Sequence, residues 1–377
     1  MDFANTETPY QGSVPATGLP TLVPRTLVSQ LKPFSRPHTV RSIWELAITL
    51  VPFFGVVSAM LAAINAGWLI ALALAPLAGL LLLRIFIIQH DCGHDAFLSK
   101  RSGNDWIGRA LGVLTFTPYD CWRRSHTLHH ASTGNLDARG YGDIDTLTVR
   151  EFQSRSRLGR LGYRLYRHPA VLLGIGPAYL FLLRHRLPIG LMRAGVQYWV
   201  SAIATNLAIA AMMSGLILLV GWGTTLLVVI PTLLIAASTG VYLFYIQHQF
   251  ETAHWDKATA WSFHDAALYG STHLDLPQPL RWFTANIGVH HVHHLASRIP
   301  FYRLQEVLNA YPDLRHLNRF TFAQMIRPLA LTLWDEDRRR LISFREAAAV
   351  ALRSRQVSFT LYRAPDRTVR SRPNSRQ

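Results

Sequence analysis

The 377-residue chain is 50% hydrophobic and only 16% charged, with a formal net charge of +16. Charged residues make up about 25% of an ordinary soluble domain, and uncharged runs of 38 and 57 residues exclude a plain soluble globule. A basic balance of this size suits nucleic acid, but long apolar runs and scattered arginines argue against a nucleic-acid binder.

Residues 1–40 form a polar N-terminal segment. The opening MDFANTETPYQGSVPATGLP is rich in Pro and Gly and lacks the basic-then-apolar order of a signal peptide. Residues 46–83 then carry no charge, and Arg84 ends the run. A spanning helix needs about 20 apolar residues, so this run predicts two spans, near 45–64 and 68–88, joined by a turn at Asn65–Gly67. Arg84 lies in the last turns of the second span, from which its guanidinium can snorkel to the adjacent face.

HDCGH follows directly, with His90 and His94 four apart. Next comes HTLHH, with His126, His129 and His130. Positions three and four apart share a helix face, so each set is expected to point one way. Two apolar segments, 107–122 and 170–183, are too short to span. They read as interfacial or re-entrant helices and as candidate liners of an apolar channel.

Residues 194–250 again hold no Asp, Glu, Lys or Arg. They predict spans near 197–219 and 225–247, with a turn at Gly221–Gly223. The third cluster, HHVHH, places His290, His293 and His294 in H-x-x-H-H spacing. His291, about 100° from His290, points elsewhere. The region from 341 to 377 is a basic tail, flexible towards its end.

The fold class is therefore all-α: an integral membrane protein with four transmembrane helices in two hairpins. Neither predicted turn contains Lys or Arg. By the positive-inside rule both termini and the middle segment face the cytoplasm, and the three clusters meet there in a helical cap. Cys92 and Cys121 are the only cysteines and imply no disulfide framework.

Imidazole is the commonest protein metal ligand. Eight histidines exceed the four to six donors that one ion takes, so the pattern predicts two ions, though ligand type alone leaves iron, zinc, copper and nickel open. Asp91, Asp95 and Asp145 are expected to hold imidazoles by their other nitrogen rather than to bind metal. Cys92 points off the ligand face and is expected to pack. A metal transporter would place polar groups at the bilayer midplane, where these spans have almost none.

HDCGH, HTLHH and HHVHH together resemble the three histidine boxes of the membrane fatty acid desaturases. The likeness covers roughly residues 40–330. The contexts GDIDTLTVREF and HHLASRIPFYRL are most similar to acyl-lipid desaturases of the delta-12 or omega-6 type. The resemblance implies a membrane desaturase domain over 41–340 that inserts a double bond with O2. It implies two iron ions held by His90, His94, His126, His129, His130, His290, His293 and His294. It also implies a ferredoxin or cytochrome b5 electron donor and an acyl-lipid or acyl-thioester substrate. A ninth ligand after the fourth span is expected at His248, with His254 as the other candidate. Asn286 is expected as a helix N-cap, the alternative being a residue that positions water. A membrane hydroxylase of alkane or carotenoid type shares these boxes and is the rival reading. No nucleotide-binding fingerprint or fused haem domain is evident, so electrons are expected from a separate, acidic protein steered by the basic face.

Overall fold

The computed structural model describes residues 24–140 and 144–350; the expected N-terminal segment up to residue 23 and the tail beyond 350 lie outside them. The described chain is mostly helical. Helix α1 (Pro24–Leu31) leads into α2 (Thr39–Asn65), which starts ahead of the predicted span because His38 caps it: its Nδ1 accepts the Arg41 N–H at 3.3 Å. The chain turns at Gly67 (φ +87°), passes a 3₁₀ turn at Leu69–Leu74 and enters α3 (Ala75–Gly93). Helices α4 (Arg101–Leu114) and α5 (Tyr119–Ser132) follow, then α6 (Val149–Ser154), α7 (Arg157–Tyr166) and α8 (Gly176–Leu182), and the long α9 (Val196–His248). Short helices α10 (Phe263–Tyr269), α11 (Gln278–Phe283), α12 (His290–Leu295) and α13 (Leu304–Ala310) complete the cap.

Among the described residues, three helices are long and apolar enough to cross a membrane: Thr39–Asn65, Leu69–Gly93 and Val196–His248. The third is interrupted at Gly221, whose φ of +79° and ψ of 160° are not helical. A side chain disfavours that backbone, and glycine allows it. The break takes a single residue, not the Gly221–Gly223 loop expected, and leaves helical stretches of 25 and 27 residues on either side.

Two small sheets modify the all-α expectation. Strand β1 (Leu147–Thr148) runs parallel to β4 (Leu333–Asp335), which pairs antiparallel with β5 (Arg340–Ile342); β2 (His273–Asp275) runs parallel to β3 (Arg319–Thr321). Strands of two or three residues show no period-two pattern, which is why the sequence hides them.

Helix α3 is the axis of the fold, buried from Leu81 to Gly93 except at Phe86 and packed on α2, α4 and α9. Its Arg84 does not snorkel. It is 2% exposed and ion-paired with Glu45; its Nε donates to Thr49 Oγ1 at 2.9 Å, and it also donates to the Trp282 carbonyl. The guanidinium carbon sits 4.2 Å from the Trp282 ring centre and 5.1 Å from that of Phe301. A charge removed from water needs partners, and here they come from α2, α11 and the segment after α12, so Arg84 pins the cap to the helices. Removing one partner of a buried pair costs about 3–5 kcal/mol, whereas an apolar pair of similar volume is often tolerated. Glu45→Ala is therefore expected to lower the melting temperature of the detergent-solubilised protein sharply. The double variant Glu45→Leu, Arg84→Met should recover most of the loss.

Candidate metal centre

Three helix ends and one complete short helix deliver the histidines. His90 and His94 stand at the end of α3, His248 ends α9, α5 carries His126, His129 and His130, and α12 carries His290, His293 and His294. All nine converge. Within each of two groups the ring nitrogens lie within 4.8 Å of one another: His90, His94, His126, His130 and His293 form one, and His129, His248, His290 and His294 the other.

The division follows from helix periodicity. Each H-x-x-H-H cluster was expected to point one way. Instead the i and i+4 residues, about 40° apart, enter one group while i+3, on the far side of i, enters the other. Helices α5 and α12 exchange roles: α5 gives His126 and His130 to the first group and His129 to the second. Helix α12 gives His290 and His294 to the second and His293 to the first. The rings of His130 and His294 stack at 4.0 Å and 6° where the groups meet.

This arrangement suits cations. Nε2 atoms face one another at 3.0 Å (His94 and His126), 3.1 Å (His126 and His130), 3.2 Å (His130 and His293) and 3.0 Å (His248 and His290). Both ring nitrogens of His294 are buried without a hydrogen-bond partner. A neutral imidazole has one donor and one acceptor, so such a cluster cannot satisfy itself, whereas a metal ion takes inward lone pairs directly. Burial, and then the neighbouring imidazoles, hold His94, His126, His130, His290, His293 and His294 well below the usual histidine range. They are neutral at pH 7, the form that ligates.

The surroundings fix these rings. Asp91 Oδ1 lies 3.4 Å from His90 Nδ1, and its Oδ2 accepts the Phe301 N–H at 2.7 Å. Trp122, one turn before His126 on α5, stacks on that imidazole at 4.7 Å and 15°. A Cβ at Gly93 would stand 2.8 Å from the Trp122 ring, so the residue just before His94 has no room for a side chain. Arg167 donates to Tyr245 Oη at 2.9 Å and Gln249 Oε1 at 3.2 Å, holding the chain on both sides of His248. The sequence placed Trp122 among the cavity liners but not against His126, for which a tryptophan four residues before that histidine was a usable signal; nothing local marked Arg167.

Other expected residues fall elsewhere. His254 belongs to neither group and lies 3.2 Å from Asp256. His291 turns away, its Nε2 2.9 Å from the Leu314 carbonyl, and burial pushes its pKa down to about 3. Asp95 pairs with Arg123 at 2.8 Å, Asp145 belongs to neither group, and Cys92 is buried outside both. Asn286 is not an N-cap: Val289 holds that position on α12, and the Asn286 side chain donates to the Phe301 carbonyl at 3.2 Å. Its φ of +54°, tolerated by Asn, places it in a turn before the helix.

An apolar cavity of about 240 Å³ opens onto this centre. His90, His126, His129 and His290 line it, two from each group. Its walls come from α3 (Leu83, Ile87), α9 (Leu233, Phe244) and both short apolar segments, through Trp122 and Phe181.

Comparison with known proteins agrees with the geometry. The sequence profile described as "Fatty acid desaturase" matches residues 66–324. The chain is 41% identical over 319 residues to a fatty acid desaturase of Bacillus subtilis, spanning 85% of this chain and 90% of that one. It is 29% identical to an sn-1 oleoyl-lipid 12-desaturase of Synechocystis, over 58% of this chain and 62% of the other. With an endoplasmic reticulum omega-6 fatty acid desaturase of Glycine max it shares 30% identity over 70% of each. The chain belongs to the fatty acid desaturase family. It is accordingly an oxidoreductase that desaturates acyl chains, and the hydroxylase reading is not favoured.

Metal analysis of purified, metal-loaded protein tests the ligand set. His248→Ala is expected to lose about half the bound metal or more, since it strips one of two groups, while His254→Ala keeps it all. Gly93→Val should push the Trp122 indole off His126 and depress turnover at least tenfold, with the protein still recovered in the membrane.

Proposed function

We propose that the protein inserts a cis double bond at the delta-12/omega-6 position of an acyl chain esterified to a membrane lipid, using O2 and two iron ions. His90, His94, His126, His130 and His293 would hold one iron, and His129, His248, His290 and His294 the other. The observation that carries this reading is the convergence of nine imidazoles, in two groups, at the wall of an apolar cavity. Bound as a pair, the irons supply oxygen activation. The balance takes two hydrogens from adjacent carbons, two electrons from a donor protein and two protons, and yields two waters.

The chain's own residues do the placing. Leu83, Ile87 and Phe244 wrap an alkyl chain and exclude water, so which carbon pair meets the histidines fixes the bond position. Asp91 keeps the His90 ring oriented from behind, a role that metal-ligating imidazoles commonly require. Lipid ester and delta-12 chemistry are supported by the names of the cyanobacterial relatives; a ferredoxin donor is supported by the relative named sn-1 acyl-lipid omega-3 desaturase (ferredoxin) in Synechocystis. Cytochrome b5 is the other acidic donor that a basic protein face would attract.

The topology belongs to the same proposal. Each stretch of α9 flanking Gly221 is long enough to cross a bilayer, which gives four spans in two hairpins. Basic residues avoid both hairpin turns, so the termini, the cap and the metal centre face the cytoplasm.

Expression in a host whose lipids hold only saturated and monounsaturated chains, followed by fatty acid profiling, tests the reaction. A diene with its new bond at position 12 is expected, and His129→Ala should abolish it while the protein stays in the membrane. An unchanged profile from full-length, iron-loaded protein, or a hydroxylated product, would overturn the reading. Turnover with an acidic donor is expected to fall as salt rises, because steering between exposed charges is screened over about 10 Å at 0.1 M.

A further inference from the structure

Helix α7, RLGRLGYRLY, faces the wrong way for a soluble surface. Its inward face is held by Tyr163 and, just past its end, by Arg167. Tyr163 Oη donates to the Thr332 carbonyl at 2.6 Å, and Arg167 donates to the Asp145 carbonyl at 3.0 Å and Thr146 Oγ1 at 2.8 Å. Successive residues turn by about 100°, so the face opposite these anchors carries Leu158, Leu161 and Leu165. They are 80%, 53% and 54% exposed. A single exposed leucine is ordinary, but three in one stripe on a helix pinned from behind form a built apolar face.

The flank of that stripe is cationic. Arg157, Arg160 and Arg164 follow one edge at i, i+3 and i+7, and the helix holds no acidic residue. Arg164 is partly committed to the protein, over the Phe344 ring at 4.6 Å, which leaves Arg157 and Arg160 at the border of the leucines. The exposed apolar surface continues along the chain through Ile175, Tyr179 and Leu183 to Val196 and Val200 at the start of α9. Between them, Leu180 and Phe181 of α8 line the cavity.

We propose that α7 lies on an anionic phospholipid leaflet, with Leu158, Leu161 and Leu165 at the boundary between headgroups and acyl chains and Arg157 and Arg160 on lipid phosphates. An apolar stripe with an arginine edge fits that interface, and exposed apolar residues recur along the chain as far as Val196 and Val200 of α9, a helix long and apolar enough to cross a membrane. The docked helix thereby anchors the segment that walls the cavity. This rests on the membrane reading of the chain but not on the reaction, so its test needs no turnover.

The full chain bearing Leu161→Cys, labelled with an environment-sensitive fluorophore, is placed in nanodiscs containing a lipid with a nitroxide near the headgroup. The unsubstituted chain, labelled in parallel, gives the background from Cys92 and Cys121. Quenching is expected to be strong in discs of phosphatidylglycerol and phosphatidylcholine and weaker in phosphatidylcholine alone. Arg157→Gln with Arg160→Gln should reduce docking in the anionic discs by about fivefold per arginine. These variants are scored only when they elute as native, metal-loaded protein. Quenching no greater than at the exposed control Gln153→Cys would overturn the proposal. So would disulfide cross-linking of the Leu161→Cys chain between differently tagged copies, which would assign the stripe to a second copy of the chain.

Discussion

The structure depends on bringing together nine imidazoles whose nitrogens face one another. Such a cluster is costly when it has only itself for company, because lone pairs oppose lone pairs in a site with little water. It becomes favourable around cations, and that requirement accounts for four helices meeting at one place. Helices α3, α5 and α9 bring their last turns, and α12 brings its whole length. The H-x-x-H-H spacing then divides each short helix between two groups. One repeated motif, used in opposite senses by two helices, yields a paired site from simple helical periodicity.

Around that centre, buried arginines hold the fold in register. Arg84 ties the helical shaft to the cap through Glu45 and Trp282, and Arg167 ties α7 to the end of α9 through Tyr245 and Gln249. Neither guanidinium reaches into the metal centre. Both fix elements that deliver histidines, so the precision of the site is set by charges buried at a distance from it. The cavity completes the design: it is apolar where an alkyl chain would lie and meets imidazoles only at its wall.

Much of this was legible in the sequence because it rests on local periodicity. The uncharged runs marked the long helices, and spacings of three and four marked the clusters. His248 was expected only through the resemblance, which implies a further ligand after the fourth span, with His254 as the other candidate. What stayed hidden depends on partners far away along the chain. Arg84 reads as a snorkelling residue until Trp282, 198 positions later, is placed against it. The short strands pair segments such as Leu147 and Leu333 with no pattern of their own. The division of each box between two groups was implicit in the 100° rotation, yet it needed the direction of approach of the second helix to be resolved. Asn286 looked like a cap because it precedes α12, but the intervening turn gave that place to Val289.

The exchange of roles between α5 and α12 bears on how the protein is made. Neither group is complete without the residues of α12, so during synthesis the first two boxes emerge with their imidazoles unmatched until His290, His293 and His294 have been added. Under the proposed two-iron reading neither group can close on its ion before α12 is in place, so metal capture would come late in maturation, closing the chain as a clasp does.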